Sequence, residues 1–180
     1  MGTDKALLET DGETQLSRTV ALLERHLERV FVSARPDQAA EPERARFEQI
    51  VDRYDDLGPV AGILSAMHLH PEVAWLVVAC DLPNIDDRTL GHLLEQRSPD
   101  RPFTAYRSSR DDLPEPLCAI YEPGAAEVVA GFVDAGIKCP RKMLIRSDTH
   151  LLAQPNPVAL HNVNTPEDLA AAAPPSQQRI

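Results

Sequence analysis

Apolar positions alternate between two periods along this chain. From Leu16 to Leu27 the apolar residues Leu16, Val20, Leu23 and Leu27 recur at helical spacing. Val30-Phe31-Val32 is a short β-branched and aromatic run that reads as a buried strand. A polar stretch from Arg35 to Glu43 reads as a loop. Ile50-Val51 is a second short strand, with a helix over 43–52 as its rival. Gly58-Pro59 breaks the chain, and proline suits the first turn of the helix that Ile63, Leu64 and Met67 continue. The run Ala74-Trp75-Leu76-Val77-Val78-Ala79-Cys80 is apolar on both faces, the pattern of a central strand in a parallel sheet, and it ends on Asp81. A helix over 86–96 follows, then strands over 103–106 and 117–121 and helices over 123–134 and 141–145. Thr165-Pro166-Glu167-Asp168 opens a last helix, with a threonine cap and acids at its positive end. Asp11-Gly12 is a turn. Strand and helix alternate, so the class is α/β with a mostly parallel sheet, in a single domain over 1–173 with a frayed tail over 174–180.

Composition narrows the function. The 180 residues fit one domain, and 43% hydrophobic content with 4% aromatics leaves a core of Leu, Val, Ile and Ala. A net charge of −10 argues against a nucleic-acid partner, which needs a basic surface. It leaves room for a nucleotide substrate held by one lysine and a metal ion. No apolar run approaches a membrane span, and no signal peptide is visible. Cys80, Cys118 and Cys139 are widely spaced, as in reduced cytoplasmic proteins, and nothing reads as an obligate interface, so a cytoplasmic monomer is expected.

Chemistry belongs beyond the carboxyl ends of the strands in such a sheet. Asp81 stands at one, where a carboxylate either holds Mg2+ against phosphates or caps the turn into Leu82-Pro83. Lys5 is a point charge suited to phosphate, and by local context alone a solvated surface lysine. Asp52, Asp55 and Asp56 precede Gly58-Pro59 and either accept hydrogen bonds from a base or ribose or cap turns. Asn162 and Asn164 either contact a ligand or cap the last helix. His68 and His70 are two apart on a helix and point away from each other, which excludes them as a metal pair. Cys80 reads as packing. The chain has no Gly-x-Ser-x-Gly, no complete P-loop and no dinucleotide fingerprint.

Four segments in order carry a resemblance: Gly2-x-Asp4-Lys5-Ala6-Leu7-Leu8, Gly58-Pro59-Val60-Ala61-Gly62-Ile63, Val77-Val78-Ala79-Cys80-Asp81-Leu82-Pro83, and Asn162-Val163-Asn164-Thr165-Pro166-Glu167. Together they resemble the molybdenum cofactor guanylyltransferases of the MobA-like nucleotidyltransferase superfamily. The resemblance implies a Rossmann-like three-layer fold and transfer of GMP from GTP to the terminal phosphate of molybdopterin, releasing pyrophosphate. It implies Lys5 as the phosphate lysine and Asp81 as the Mg2+ ligand. Asp52, with Gly58, Pro59 and Gly62, matches the guanine nucleotide site, and Asn162 and Asn164 match the pterin side. Pro116-Leu117-Cys118 takes the place of a substrate-side strand. Ser33 stands where the family pattern often has Asn, which leaves a cytidylyltransferase or another acceptor as alternatives. The family opens with a strand and a Leu-x-Gly-Gly-x-Ser-x-Arg-Met-Gly loop, of which only Met1-Gly2 is present. The expectation is that the first strand is missing and Met1 is internal to a longer protein. A truncated, non-catalytic nucleotide-binding module is the rival reading.

Overall fold

The computed structural model describes residues 4–10 and 12–162. A 3-10 turn, Lys5–Leu7, leads into a small antiparallel hairpin of β1 (Glu9–Thr10) and β2 (Glu13–Thr14). Gly12, at φ +82°, lies in the turn between them. Thr14 Oγ1 accepts from the Ser17 N–H and so caps α1 (Gln15–Leu23). Then come β3 (Val32–Ala34), a 3-10 turn Arg44–Arg46, β4 (Gln49–Val51), α2 (Pro59–Leu69) and β5 (Trp75–Val78). The second half holds α3 (Asp87–Glu95), β6 (Phe103–Arg107), β7 (Pro114–Tyr121), α4 (Ala125–Asp134), α5 (Pro140–Ile145) and β8 (Thr149–Leu152).

The main sheet has the order β5-β7-β6-β8, and β3 pairs in parallel with β4 beside it. Since β7 runs antiparallel to both β5 and β6 while β8 is parallel to β6, three of the four strands share one direction. The reversal at β7 has a simple cause. Only the six residues Ser108 to Leu113 separate β6 from β7, too few for the crossover a parallel neighbour needs.

Side-chain alternation divides the core between two layers. Ala119 and Tyr121 of β7 face a cluster with Val60, Ile63, Leu64 and Met67 of α2, Val129 of α4 and Met143 of α5. Cys118 and Ile120 face the other way, against Leu22 and Leu23 of α1 and Leu90 and Leu93 of α3. The result is the three-layer α/β arrangement implied by the sequence.

Several elements differ from expectation, among them β1 and β2, where only a turn was read, and β7, which begins at Pro114 rather than 117. β3 lies two residues later than Val30–Val32, because Phe31 turns aside to pack its ring on Trp75. β8 was not anticipated, since Thr-His-Leu-Leu carries no alternation. The most apolar strand, β5, is not central: among the described residues it is the edge of its sheet, and all four of its residues are only half-buried. The helix and tail expected beyond Asn162 lie outside the described residues.

Candidate functional site

The carboxyl ends of β3, β4 and β5 gather most of the sequence-predicted residues. In one group, the Asp4 side chain accepts from the Ala6 N–H at 3.1 Å and so caps the Lys5–Leu7 turn. Ala6 is buried against Leu16, Val20 and Val32, which anchors the turn to the core. The other Asp4 oxygen accepts from Arg44 at 2.8 Å, and Arg44 also donates to Glu41 at 3.3 Å. Held in this way, Lys5 puts its Nζ 3.3 Å from Asp81 Oδ2, across 76 positions of sequence. Asp81 lies three residues beyond β5. Cys80 beside it is no nucleophile: burial first, then the charge of Asp81, pushes its thiol up to about 11.

Asp81 is a single, partly exposed carboxylate next to an ammonium. Among the described residues no group of three metal-ligating side chains occurs. That donor set suits Mg2+, which keeps several waters and binds through one or two carboxylates plus substrate phosphates. It does not suit a metal needing an all-protein cage.

A second group sits across from it. Ser33 Oγ of β3 donates to Asp52 Oδ1 at 3.0 Å, just beyond β4. Burial raises the Asp52 carboxyl above its ordinary value, and the Ser33 hydrogen bond offsets only part of that rise. Gly62, in the second turn of α2, faces this pair. A Cβ there would collide with Ser33 Oγ and stand 3.2 Å from Asp52 Oδ1, so only glycine lets the helix approach this closely. Gly58 at φ +55° turns the chain into α2, and Pro59 occupies its first position.

Asn162 lies at a different place, lining a cavity of about 110 Å³ with Ala79, Leu82, Glu115 and Arg141. Arg141 bridges Glu115 at 2.8 Å and Asp111 at 2.9 Å there. Asn164 lies outside the described residues. Asp55 and Asp56 make no side-chain bond to this group; Asp56, at φ 59°, serves the turn before α2. The two histidines excluded as a metal pair have separate neighbours: His68 bonds Tyr54 at 2.6 Å, while His70 packs on Phe31 and Trp75.

Two contributors escaped the sequence. Arg44 gives no local signal, because its partner Asp4 is 40 positions away. Arg141 is likewise an ordinary helix residue until the fold brings β7 beneath it. Ser33 was legible as a departure from a pattern, but its bond to Asp52 was not.

Comparison with known proteins gives a consistent result. Residues 1–150 match the model of the MobA-like NTP transferase domain. The Molybdenum cofactor biosynthesis bifunctional protein of Synechocystis is 36% identical over 168 residues, covering 93% of this chain and 48% of that protein. The chain thus spans about half the length of that relative. The Molybdenum cofactor guanylyltransferase of Shewanella frigidimarina is 28% identical over 176 residues, covering 92% of this chain and 85% of its own. Among solved structures, Molybdopterin-guanine dinucleotide biosynthesis protein A from Archaeoglobus fulgidus superposes with a TM-score of 0.75 at 25% identity, covering 95% of this chain and 89% of that one.

Proposed function

The chain belongs to the MobA-like NTP transferase family, and from that premise we propose that it transfers GMP from GTP to the terminal phosphate of molybdopterin, with release of pyrophosphate. The single observation that carries this reading is the Lys5–Asp81 pair at 3.3 Å beyond the carboxyl end of β5. An acceptor phosphate oxygen attacks the α-phosphorus of GTP. The new P–O bond forms as the bond to the β-phosphate oxygen breaks, and pyrophosphate leaves with the electron pair. The attacking oxygen is already anionic, so no protein base is needed. Lys5 meets the negative charge growing on the phosphoryl oxygens and the leaving group. Mg2+ on Asp81 would supply the remaining charge neutralisation. Asp52, oriented by Ser33, accepts from the N–H groups of the guanine edge. Gly58, Pro59 and Gly62 let the backbone of α2 approach the nucleotide. Asn162 and Asn164 serve the acceptor side. The enzyme acts as one domain over 1–173, a cytoplasmic monomer without nucleic-acid or membrane partners. No described helix is long and apolar enough to cross a membrane.

The test is pyrophosphate release with molybdopterin, Mg2+ and either GTP or CTP. GTP is the expected donor, and Asp81→Asn is expected to lower the rate by about 10²–10³-fold with an unchanged circular dichroism spectrum. Turnover with CTP alone would move the reading to a cytidylyltransferase. Undiminished turnover in Asp81→Asn would remove the metal role. Nucleotide binding without turnover would favour a non-catalytic module.

A further inference from the structure

Ser33, Arg35 and Asp52 meet where β3 and β4 end. The parallel register sets Ser33 beside Ile50 and Ala34 beside Val51, so the next residues, Arg35 and Asp52, leave the ladder together. The Asp52 N–H donates to the Ala34 carbonyl at 2.9 Å, which fixes the start of this exit. Ser33 Oγ donates to Asp52 Oδ1 at 3.0 Å. Gly62 closes on the same oxygen, since a Cβ there would stand 3.2 Å from it. Oδ1 is thus held by Ser33 and shielded by α2. Among the described residues Ser33 is the one side chain bonded to this carboxylate, so Oδ2 is the oxygen left to a ligand. Arg35 stands close enough for its charge to act on Asp52: burial raises the carboxyl, and after the Ser33 bond it is Arg35 that opposes the rise. The bond of Arg35 to Asp37, at 3.2 Å, joins side chains that are 61% and 71% exposed. Such a pair holds weakly, so the guanidinium is available to a ligand.

One open carboxylate oxygen beside a guanidinium is an acceptor next to a donor. Its complement is a base edge with an N–H next to a carbonyl. Guanine and hypoxanthine both carry that pair, at N1–H and O6. Adenine and cytosine carry the reverse, a ring nitrogen that accepts beside an amino group that donates. To read the 2-amino group of guanine as well, Asp52 would need its second oxygen, and Ser33 and Gly62 close that one off. Resting on the transferase reading and narrowing its base contact to a single N–H, we propose that this site selects 6-oxopurine nucleotides, with N1–H on Asp52 Oδ2 and O6 on Arg35, while Ser33 keeps the 2-amino group unread. ITP is then a donor alongside GTP. The acceptor oxygen attacks its α-phosphorus, the bond to the β-phosphate oxygen breaks, and pyrophosphate leaves with the electron pair. Asp52 and Arg35 touch the base; Ser33 is a positioning residue that acts through Asp52.

The test is calorimetric titration of the full chain with GTP, ITP, ATP and CTP in the presence of Mg2+, followed by kcat/KM for pyrophosphate release from GTP and ITP with molybdopterin. ITP is expected to bind, and to turn over, within about threefold of GTP, because the two share every contact. ATP and CTP should bind at least about thirtyfold more weakly, since each sets an acceptor against the carboxylate and a donor against the cation. Ser33→Ala frees Oδ1 for the 2-amino group and should raise the preference for GTP over ITP to roughly tenfold. A serine that served structure alone would not move that ratio. Arg35→Ala should weaken GTP and ITP alike by roughly tenfold and leave their ratio unchanged. ITP held more than about thirtyfold more weakly than GTP would overturn this inference and leave the transferase reading standing. An unchanged ratio in Ser33→Ala, or ATP bound as tightly as GTP, would also overturn it. Failure of all four nucleotides to bind would overturn it together with the transferase reading.

Discussion

Arg44 illustrates what a residue does that its neighbourhood in sequence does not reveal. Its guanidinium is 7% exposed, with Asp4 and Glu41 as partners. A buried cation must be paired, and the pairing here reaches the turn that bears Lys5. Arg44→Met is expected to cost about 1–3 kcal/mol in urea denaturation, because Asp4 and Glu41 each lose a charged partner. If the transferase reading holds, it should also lower kcat more than it raises KM for GTP, since Lys5 loses its bracing rather than its charge. Arg44→Lys should recover part of the stability. At this scale Lys5 and Asp81 were legible, because each sits in a short motif that the family pattern picks out. Arg44 was not, because a long-range ion pair leaves no trace in spacing. The Ser33–Asp52 bond shows the middle case, in which one partner was noticed and the contact was not.

Helix ends were the most readable elements. Gly58-Pro59 opens α2, as the sequence indicated, and α3 begins one residue after the expected 86, with Asp86 as its cap. Strand ends were less so, and β8 was invisible because it is bought by pairing with β6 rather than by its own pattern. The start of α1 combines both kinds of information. Thr14 caps it from within, while Glu43, from the loop before β4, accepts from Ser17 Oγ at 2.6 Å and Thr14 Oγ1 at 2.9 Å. These bonds, with Ser17 the largest contributor, then Arg46, then Thr14, hold the Glu43 carboxyl at about 2 instead of 4.5. A depressed folded pKa contributes stability that is present in full above the unfolded value and lost as pH falls toward the folded one. The urea midpoint of Glu43→Gln should therefore lie below that of the native chain at neutral pH. The two should converge as pH drops from 4.5 to about 2. Parallel curves across that window would show that Glu43 does not brace α1.

The whole molecule was legible as a class and less so as a topology. Alternating strands and helices identified an α/β sheet, but the antiparallel pairing of β6 with β7 was not read from the two strand patterns. Strand order was not legible, since nothing in a strand's own sequence says which neighbour it will meet. The placement of β5 is the clearest instance. Its Trp-Leu-Val-Val pattern packs on both core layers, as a central strand would, yet among the described residues it pairs along one edge alone.

Among the described residues one edge of β3 and one of β5 carry no strand, and this has a colloidal consequence. Natural sheet edges are guarded by lysine, proline or a bulge, because a bare edge templates pairing with other chains. Val-Ser-Ala of β3 and Trp-Leu-Val-Val of β5 carry none of these guards. What holds copies apart is mutual repulsion from a charge of −10 at pH 7. This repulsion vanishes near the isoelectric point of about 5.0. Light scattering from the chain should climb steeply as pH approaches that value.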